Sequence, residues 1–464
     1  MSGHQPTPPG TPNVTGILTD WIVDTNGPDI PNEIRHEGLR TFVNWVGCAV
    51  GGASHETVDA ALNGLLAFSG RSTSTVLGRA ERMDALHAAL LNGISSHVLD
   101  YDDTHLKTII HPAGPVASAI LALAETRPVS GYDFLTALIL GVEAECRIGN
   151  CVYPAHYDRG WHITGTAGVF GAAAAAGKIL GLTKQQMRWA FGIAGTQSSG
   201  FREQFGTMTK SFHPGRAAQN GLASALLAQA GFDSSERVLE APRGFACVMS
   251  DKQDWDEIIE GLGTRWEAGL NSYKPFACGI VIHPTIDGCI QLRSELGDRV
   301  NDIESVHLVA HPLVLELTGK QTPQTGLEAK FSVFHSAACA LLRGDGSPTA
   351  FTDTVVKEPD VVALRDTITA VADPACHSAS VTIEVRFKDG PPVIKHVERA
   401  LGSREVPLTD DQVTEKFRAQ SALVIGEEAT QKLLDVSWST PELDDVADVA
   451  RTSSENAWVS GAAA

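Results

Sequence analysis

No stretch of this 464-residue chain approaches the ~20 consecutive apolar residues that a membrane-spanning helix requires, so no membrane partner is expected. Positive charge is scarce as well. Against 55 Asp and Glu stand 36 Lys and Arg, and the net charge of −19 argues against a nucleic-acid partner, which calls for a basic face. A small anionic substrate stays compatible, because a site can be locally basic inside an acidic shell. The eight cysteines, at 48, 146, 151, 247, 278, 289, 339 and 376, form no CxxC pair. That removes the usual carriers of zinc ribbons and iron–sulfur clusters and makes reduced, mostly buried thiols the default. GxGxxG, Walker, GxSxG and HExxH motifs are all missing, and with them the usual signs of nucleotide, serine-hydrolase and zinc-protease chemistry. Residues 1–13 are polar and rich in Pro, without the features of a signal peptide or a mitochondrial leader. They read as a disordered N-terminal segment of a cytoplasmic protein.

What is present describes a globular protein of two domains: 43% apolar and 20% charged residues, over a length that can bury a large core. From about Val14 to Gly263 the pattern is helical. Ile30 to Val50 places apolar residues at three- and four-residue spacing, and Arg82 to Leu99 continues in that style. Gly165 to Gly181 is dense in Ala and Gly, which predicts a central buried helix that neighbours approach closely. Thr183 then reads as the N-cap of the next helix, with Gln186 completing a capping box. After Leu270 the texture changes. Val306–Leu317 and Ala379–Phe387 read as strands, Lys388–Pro392 as a turn, and Val393–Val397 as the return of a hairpin. Glu328–Leu342 reads as an amphipathic helix between them. The expected division is a helical domain of residues 14–270 plus 401–446, an α+β unit of 271–400 inserted before the C-terminal helices, and a flexible tail of 447–464.

Candidate chemistry gathers in four segments. Ser96 to Gly114 packs Asp100, Asp102, Asp103, His97, His105, His111, Thr104 and Lys107 between two apolar helical runs. Such a cluster suits proton transfer or metal binding, and an ordinary polar joint between helices explains it equally well. His162 precedes the Ala-rich helix, where a helix N-terminus favours an anion, although a local cap is an equal reading. Phe201 to Gly221 combines Arg202, Lys210, His213 and Arg216 with few acids just ahead of another small-residue helix, which favours carboxylate binding. Lys274 and His283 stand where the helical pattern gives way to the α+β unit, a favoured place for small-molecule sites. Asp, His and Lys without a cofactor signature suit removal of a proton beside a carboxylate. Several cations imply a substrate with more than one carboxylate.

These segments resemble the MmgE/PrpD family of 2-methylcitrate dehydratases, cis-aconitate decarboxylases and iminodisuccinate epimerases. The carriers are HVLDYDDTH and HPAG from His97, WHITGTAG from Trp161, TKSFHPGRAAQNG from Thr209, KPFACGIVIH from Lys274, EAKFSVFHSAACALL from Glu328 and PLTDDQVTEKFR from Pro407. The resemblance implies a mainly α fold, with a large all-α helical domain and a smaller α+β lid domain. It also implies a homodimer, and catalysis with no metal and no organic cofactor. By motif, Asp100, Thr104, His111, His162, Lys210 and Lys274 correspond to active-site residues of the decarboxylase branch. The step from Thr104 to His111 is one residue longer than in the animal decarboxylases. Gly279 stands where that branch has a His, five positions after Lys274, while His283 matches another family His. The missing His counts against decarboxylation. Asp100, His111, His162, Lys210 and Lys274 are therefore the expected catalytic residues, with Thr104, His213 and His283 binding substrate. The expected activity is a lyase acting on a small polycarboxylate, with dehydration of a 2-methylcitrate-like acid slightly ahead of cis-aconitate decarboxylation and of epimerisation. An inactive polycarboxylate binder is a different class, and the joint retention of Asp100, His111, Lys210 and Lys274 speaks against it.

Overall fold

A computed structural model describes residues 10–455. The chain is mainly α-helical, its strands confined to two small pairs and one four-stranded sheet. The helix Ile163–Ile179 runs through the middle and is buried as far as Gly177. It packs on the helices Gly131–Val152 and Thr209–Gln229. Small residues permit this closeness. A Cβ on Gly221 would lie 2.5 Å from the Ala172 Cβ, and one on Gly93 would lie 2.4 Å from the Gly215 Cα. The second contact presses the helices Ala85–Val98 and Thr209–Gln229 together, bringing the segment after His97 beside Lys210. Thr183 caps the helix Lys184–Gly195, and the reciprocal bonds with Gln186 are both made, as the capping-box reading expected.

Buried apolar side chains fall into two clusters. One gathers residues from Val14 to Tyr273 and again from Leu408 to Ala450, so the late helices Asp410–Ile425 and Glu427–Trp438 return to it. The other gathers Phe276 to Val397 together with Tyr101. Tyr101 thus reaches out of the helical part into the second cluster, and its hydroxyl donates to the Pro275 carbonyl at 3.2 Å. Strand Asp103–His105 pairs antiparallel with Asn271–Tyr273, Asp103 opposite Tyr273, so the acidic segment and Lys274 meet where the two clusters touch.

The four-stranded sheet runs Ile368–Ala372, Ile303–Ala310, Val381–Phe387, Val393–Val397; the first pair is parallel and the others antiparallel. The hairpin closes as its turn chemistry suggests, with Gly390 at φ +98°. Three expectations give way. The strand expected over Val306–Leu317 stops at Ala310, because His311 accepts a bond from the Leu313 N–H and Pro312 opens the helix Pro312–Thr318. The helix expected over Glu328–Leu342 is broken into Gly326–Ala329 and Val333–Arg343, with Ser332 capping the second. The expected flexible tail begins with an ordered helix, Ala447–Ser453. Val446, Val449 and Ala450 bury into the first cluster, and the Val446 N–H donates to the Val129 carbonyl. At the other end Asn13 caps Val14–Asp24 by accepting from the Gly16 N–H. The rest of the expected N-terminal segment through residue 9, and the tail from residue 456, lie outside the described residues. Among the described residues no helix is long and apolar enough to cross a membrane.

Candidate active site

The helix Ala85–Val98 ends in a turn whose third residue, Asp100, has φ +52°. Asp carries that left-handed conformation at some cost, and here it points a carboxylate inward. The Asp100 Oδ1 accepts from Lys210 Nζ at 2.8 Å and from Lys274 Nζ at 2.5 Å, all three side chains being buried. Burial opposes ionisation of Asp100, but the two ammonium groups outweigh it and hold the carboxyl well below the usual range. Lys210 comes from the first turn of Thr209–Gln229 and lies against the faces of Phe205 and Phe331, 5.5 and 5.4 Å from the ring centres. Lys274 follows strand Asn271–Tyr273 and also lies 3.7 Å from Asp102 Oδ1. Burial works against its charge, yet the Asp100 and Asp102 carboxylates raise its pKa.

Four imidazoles stand beside this triad. His97 Nδ1 is 2.6 Å from Asp102 Oδ2. His111 Nδ1 lies 2.7 Å from the Asp103 carbonyl oxygen and 3.2 Å from the Thr104 hydroxyl. A carbonyl only accepts, so Nδ1 carries the proton and Nε2 of the neutral ring keeps a free lone pair. Burial, with Lys274 adding to it, lowers the His111 pKa to about 3. His162 is the N-cap residue of Ile163–Ile179, and its Nδ1 meets the His213 Nδ1 at 2.8 Å, so the two rings share one proton. Burial also drives His162 well below its ordinary value and His213 to about 4. Asp103 faces the other way: burial and the neighbouring Asp102 raise it to about 7, while its Oδ2 accepts from Asn271 and the Ala113 N–H.

A small cavity opens at this cluster. Asp100, His111, His162, Lys210 and Lys274 all line it, so the five residues expected to be catalytic share one cavity. The rest of its lining is mostly apolar, with Ile280, Val281, Leu317 and Phe331 beside the bare Gly279. Ile109, at φ +60°, lines the cavity too. The two non-glycine residues of positive φ among those described both lie on its wall, which is where strained backbone tends to be kept. The expected substrate-binding residues stand one layer back. Thr104 touches His111, His213 touches His162, and His283 lies buried against the Phe276 ring with its pKa lowered by burial and Lys274. Arg202 and Arg216, grouped with Lys210 in the sequence, turn aside to Glu316 and Gln219.

His97 stands in the expected cluster without an expected role, though its five-residue step to Asp102 was the available signal, and Lys330 and Lys416 carry no local one. His97, His111 and His162 offer ring nitrogens within 4.8 Å of one another, as do His97, Asp100 and Asp102 as a nitrogen–carboxylate set. Lys210 and Lys274 already occupy the Asp100 oxygen, and their charges disfavour a cation there.

The arrangement can bind carboxylates on the lysines, hold a base at His111 and exclude water with its apolar lining. The cis-aconitate decarboxylase of Aspergillus terreus is 27% identical over 463 residues, covering 93% of this chain and 94% of that protein. The cis-aconitate decarboxylase-like protein oryM of Aspergillus oryzae is 28% identical, covering 97% and 98%. The cis-aconitate decarboxylase of Homo sapiens is 26% identical, covering 90% and 89%. The MmgE/PrpD N-terminal domain profile matches residues 16–258 and the C-terminal domain profile residues 276–440, and the chain belongs to the MmgE/PrpD family.

Proposed function

We propose that this protein is a lyase that moves a proton on carbon beside a carboxylate of a small polycarboxylic acid. The observation that carries the reading is the cavity's lining: two ammonium groups and a neutral imidazole among apolar side chains. Lys210 and Lys274 bind carboxylates and stabilise the negative charge that grows as the carbon centre reacts. His111 Nε2 takes or returns the proton, with the ring held by the Asp103 carbonyl. His162 and His213 supply a second site of proton exchange.

Decarboxylation of a cis-aconitate-like acid is supported by the activity for which these relatives are named. In that reaction the C–C bond to the carboxylate on the methylene arm breaks and CO2 leaves. The electron pair forms a new double bond to the central carbon, and the old double bond takes a proton at its far end. An apolar lining helps, since a carboxylate stripped of water gives up CO2 more readily. Dehydration of a 2-methylcitrate-like acid is the second reading, favoured by His111. A neutral ring with its Nδ1–H engaged is a base at rest, as removal of a proton followed by loss of hydroxide requires. The apolar lining then holds the alkyl group.

Incubating the pure protein with cis-aconitate, 2-methylcitrate, citrate and iminodisuccinate in deuterated water, with products read by NMR, tests this. CO2 release supports the first reading and an unsaturated tricarboxylate from 2-methylcitrate the second. Deuterium exchange without net product indicates epimerisation. Absence of exchange and turnover with all four acids overturns the proposal.

A further inference from the structure

Three successive carbonyls around Asp100 accept from three buried lysines that come from distant parts of the chain. The Leu99 carbonyl accepts from Lys330, 231 residues away. The Asp100 carbonyl accepts from Lys274 at 3.2 Å. The Tyr101 carbonyl accepts from Lys416 at 2.5 Å, 315 residues away. Lys274 belongs to the cavity wall, but Lys330 and Lys416 do not line the cavity. Both are nonetheless buried, at 3% and 6% exposure.

Neither of these two ammonium groups has a carboxylate within ion-pair distance among the described residues. Lys330 donates again to the Ala277 carbonyl at 3.2 Å and lies 5.5 Å from the Phe351 ring centre. Lys416 donates to Asn44 Oδ1 at 2.7 Å and sits 4.2 Å from the Tyr101 ring centre. Burying an ammonium against neutral oxygens is costly, and burial lowers the Lys330 pKa to about 8. A core packed only for stability would use an apolar residue in such places. What the lysines share is their target. The Leu99 carbonyl belongs to the C-cap of the helix Ala85–Val98 and those of Asp100 and Tyr101 follow directly, so all three stand by the negative end of its dipole, where cations are favoured. Between them lies Asp100 in the left-handed conformation, which needs outside contacts to persist.

We infer that Lys330 and Lys416 are positioning residues: they clamp the carbonyls on either side of Asp100 and so fix the turn that aims its carboxylate at Lys210 and Lys274. Lys330 leaves from the break between the helices Gly326–Ala329 and Val333–Arg343, and Lys416 from Asp410–Ile425. The clamp therefore ties the second apolar cluster and the late helices to one turn. The inference rests on the lyase reading only for its kinetic arm.

Two measurements test it. In the kinetic arm, Lys330→Met should lower kcat on the order of 10–100-fold, the range expected when a reacting geometry is displaced by about 1 Å, with KM changed far less. In an Asp100→Asn background the same substitution should add little, because Asp100 is what it positions. Lys330→Gln, which keeps an N–H donor, should recover part of the rate. Losses that multiply, or an unchanged kcat in Lys330→Met, overturn the inference while leaving the lyase reading intact. The second arm needs no turnover. A crystal structure of Lys330→Met should show Asp100 out of positive φ or its carboxylate off Lys210 and Lys274, and an undisturbed turn overturns the clamp. Failure of both Lys330→Met and Lys330→Gln to fold would make the role structural and overturn it as well.

Discussion

Replacing Asp100 by Asn isolates the charge at the centre of the site. The amide keeps the size and one acceptor oxygen, so both lysines keep a neutral partner while the negative charge goes. Asp100 is 3% exposed and Lys210 and Lys274 are 8% and 1%, so little solvent screening softens the loss. Removing one partner of a buried pair costs about 3–5 kcal/mol. The low end applies to Lys274, which keeps Asp102 Oδ1 at 3.7 Å, whereas Lys210 keeps the neutral amide oxygen and the Phe205 and Phe331 faces. Asp100→Asn should therefore lower the apparent unfolding free energy by about 3 kcal/mol or more at pH 7. The urea midpoint should fall with an unchanged slope. Asp100→Asn with Lys210→Met should be more stable than Asp100→Asn alone, since the second change removes the stranded ammonium. The sign with pH follows from the depressed carboxyl. Its stabilisation is present above the unfolded pKa of about 3.9 and is lost as pH falls through the folded value. The gap between wild type and variant should thus be full at pH 7 and close below about pH 4. An unchanged midpoint in Asp100→Asn, or a double variant less stable than the single, would refute the reasoning.

His111→Ala should lower turnover by about 10²–10⁴-fold with a smaller effect on KM, and an unchanged kcat would remove His111 from proton transfer. Lys210→Ala should impair both constants, and the two losses combined should be less than multiplicative if one site holds both groups. Polycarboxylate binding should take up protons near neutral pH. His213, at about 4 in the free site, is neutral there, and a bound polycarboxylate raises it through the His162 contact. Affinity should then strengthen from pH 8 to 6, and binding heats identical in buffers of different ionisation enthalpy would contradict this. Light scattering should give about twice the 49.2 kDa chain mass if the homodimer implied by the family is correct. A chelated preparation should keep its activity, and loss on chelation with recovery on adding a divalent metal would recast His97, Asp100 and Asp102 as ligands.

How much of this was legible in the sequence depended on how local each cause is. The Thr183–Gln186 box spans three residues, and the Gly-rich runs state their own packing, so those elements were readable as written. The strand over Val306–Leu317 was misjudged because β-forming residues continue past His311, while the capping bond and Pro312 decide the backbone. The tail helix was missed because its buried face is only four residues, Ala447, Val449, Ala450 and Ser453, packed on the first core, with Val446 just before it bonded to Val129. The break in Glu328–Leu342 has the same origin at longer range. Its apolar periodicity is real, yet the chain there departs from a single helix, and the Lys330 side chain runs to Leu99 and Ala277. The site follows this rule too. Asp100, His111, His162, Lys210 and Lys274 stand in polar segments unusual enough to be noticed one by one, although nothing in the spelling says that two lysines 64 positions apart share one oxygen atom. Lys330 and Lys416 gave no such notice, because a lone Lys in an amphipathic helix reads as a solvated side chain snorkelling outward. Only the meeting of three segments around residues 99–101 turns them inward, and that meeting is a property of the fold.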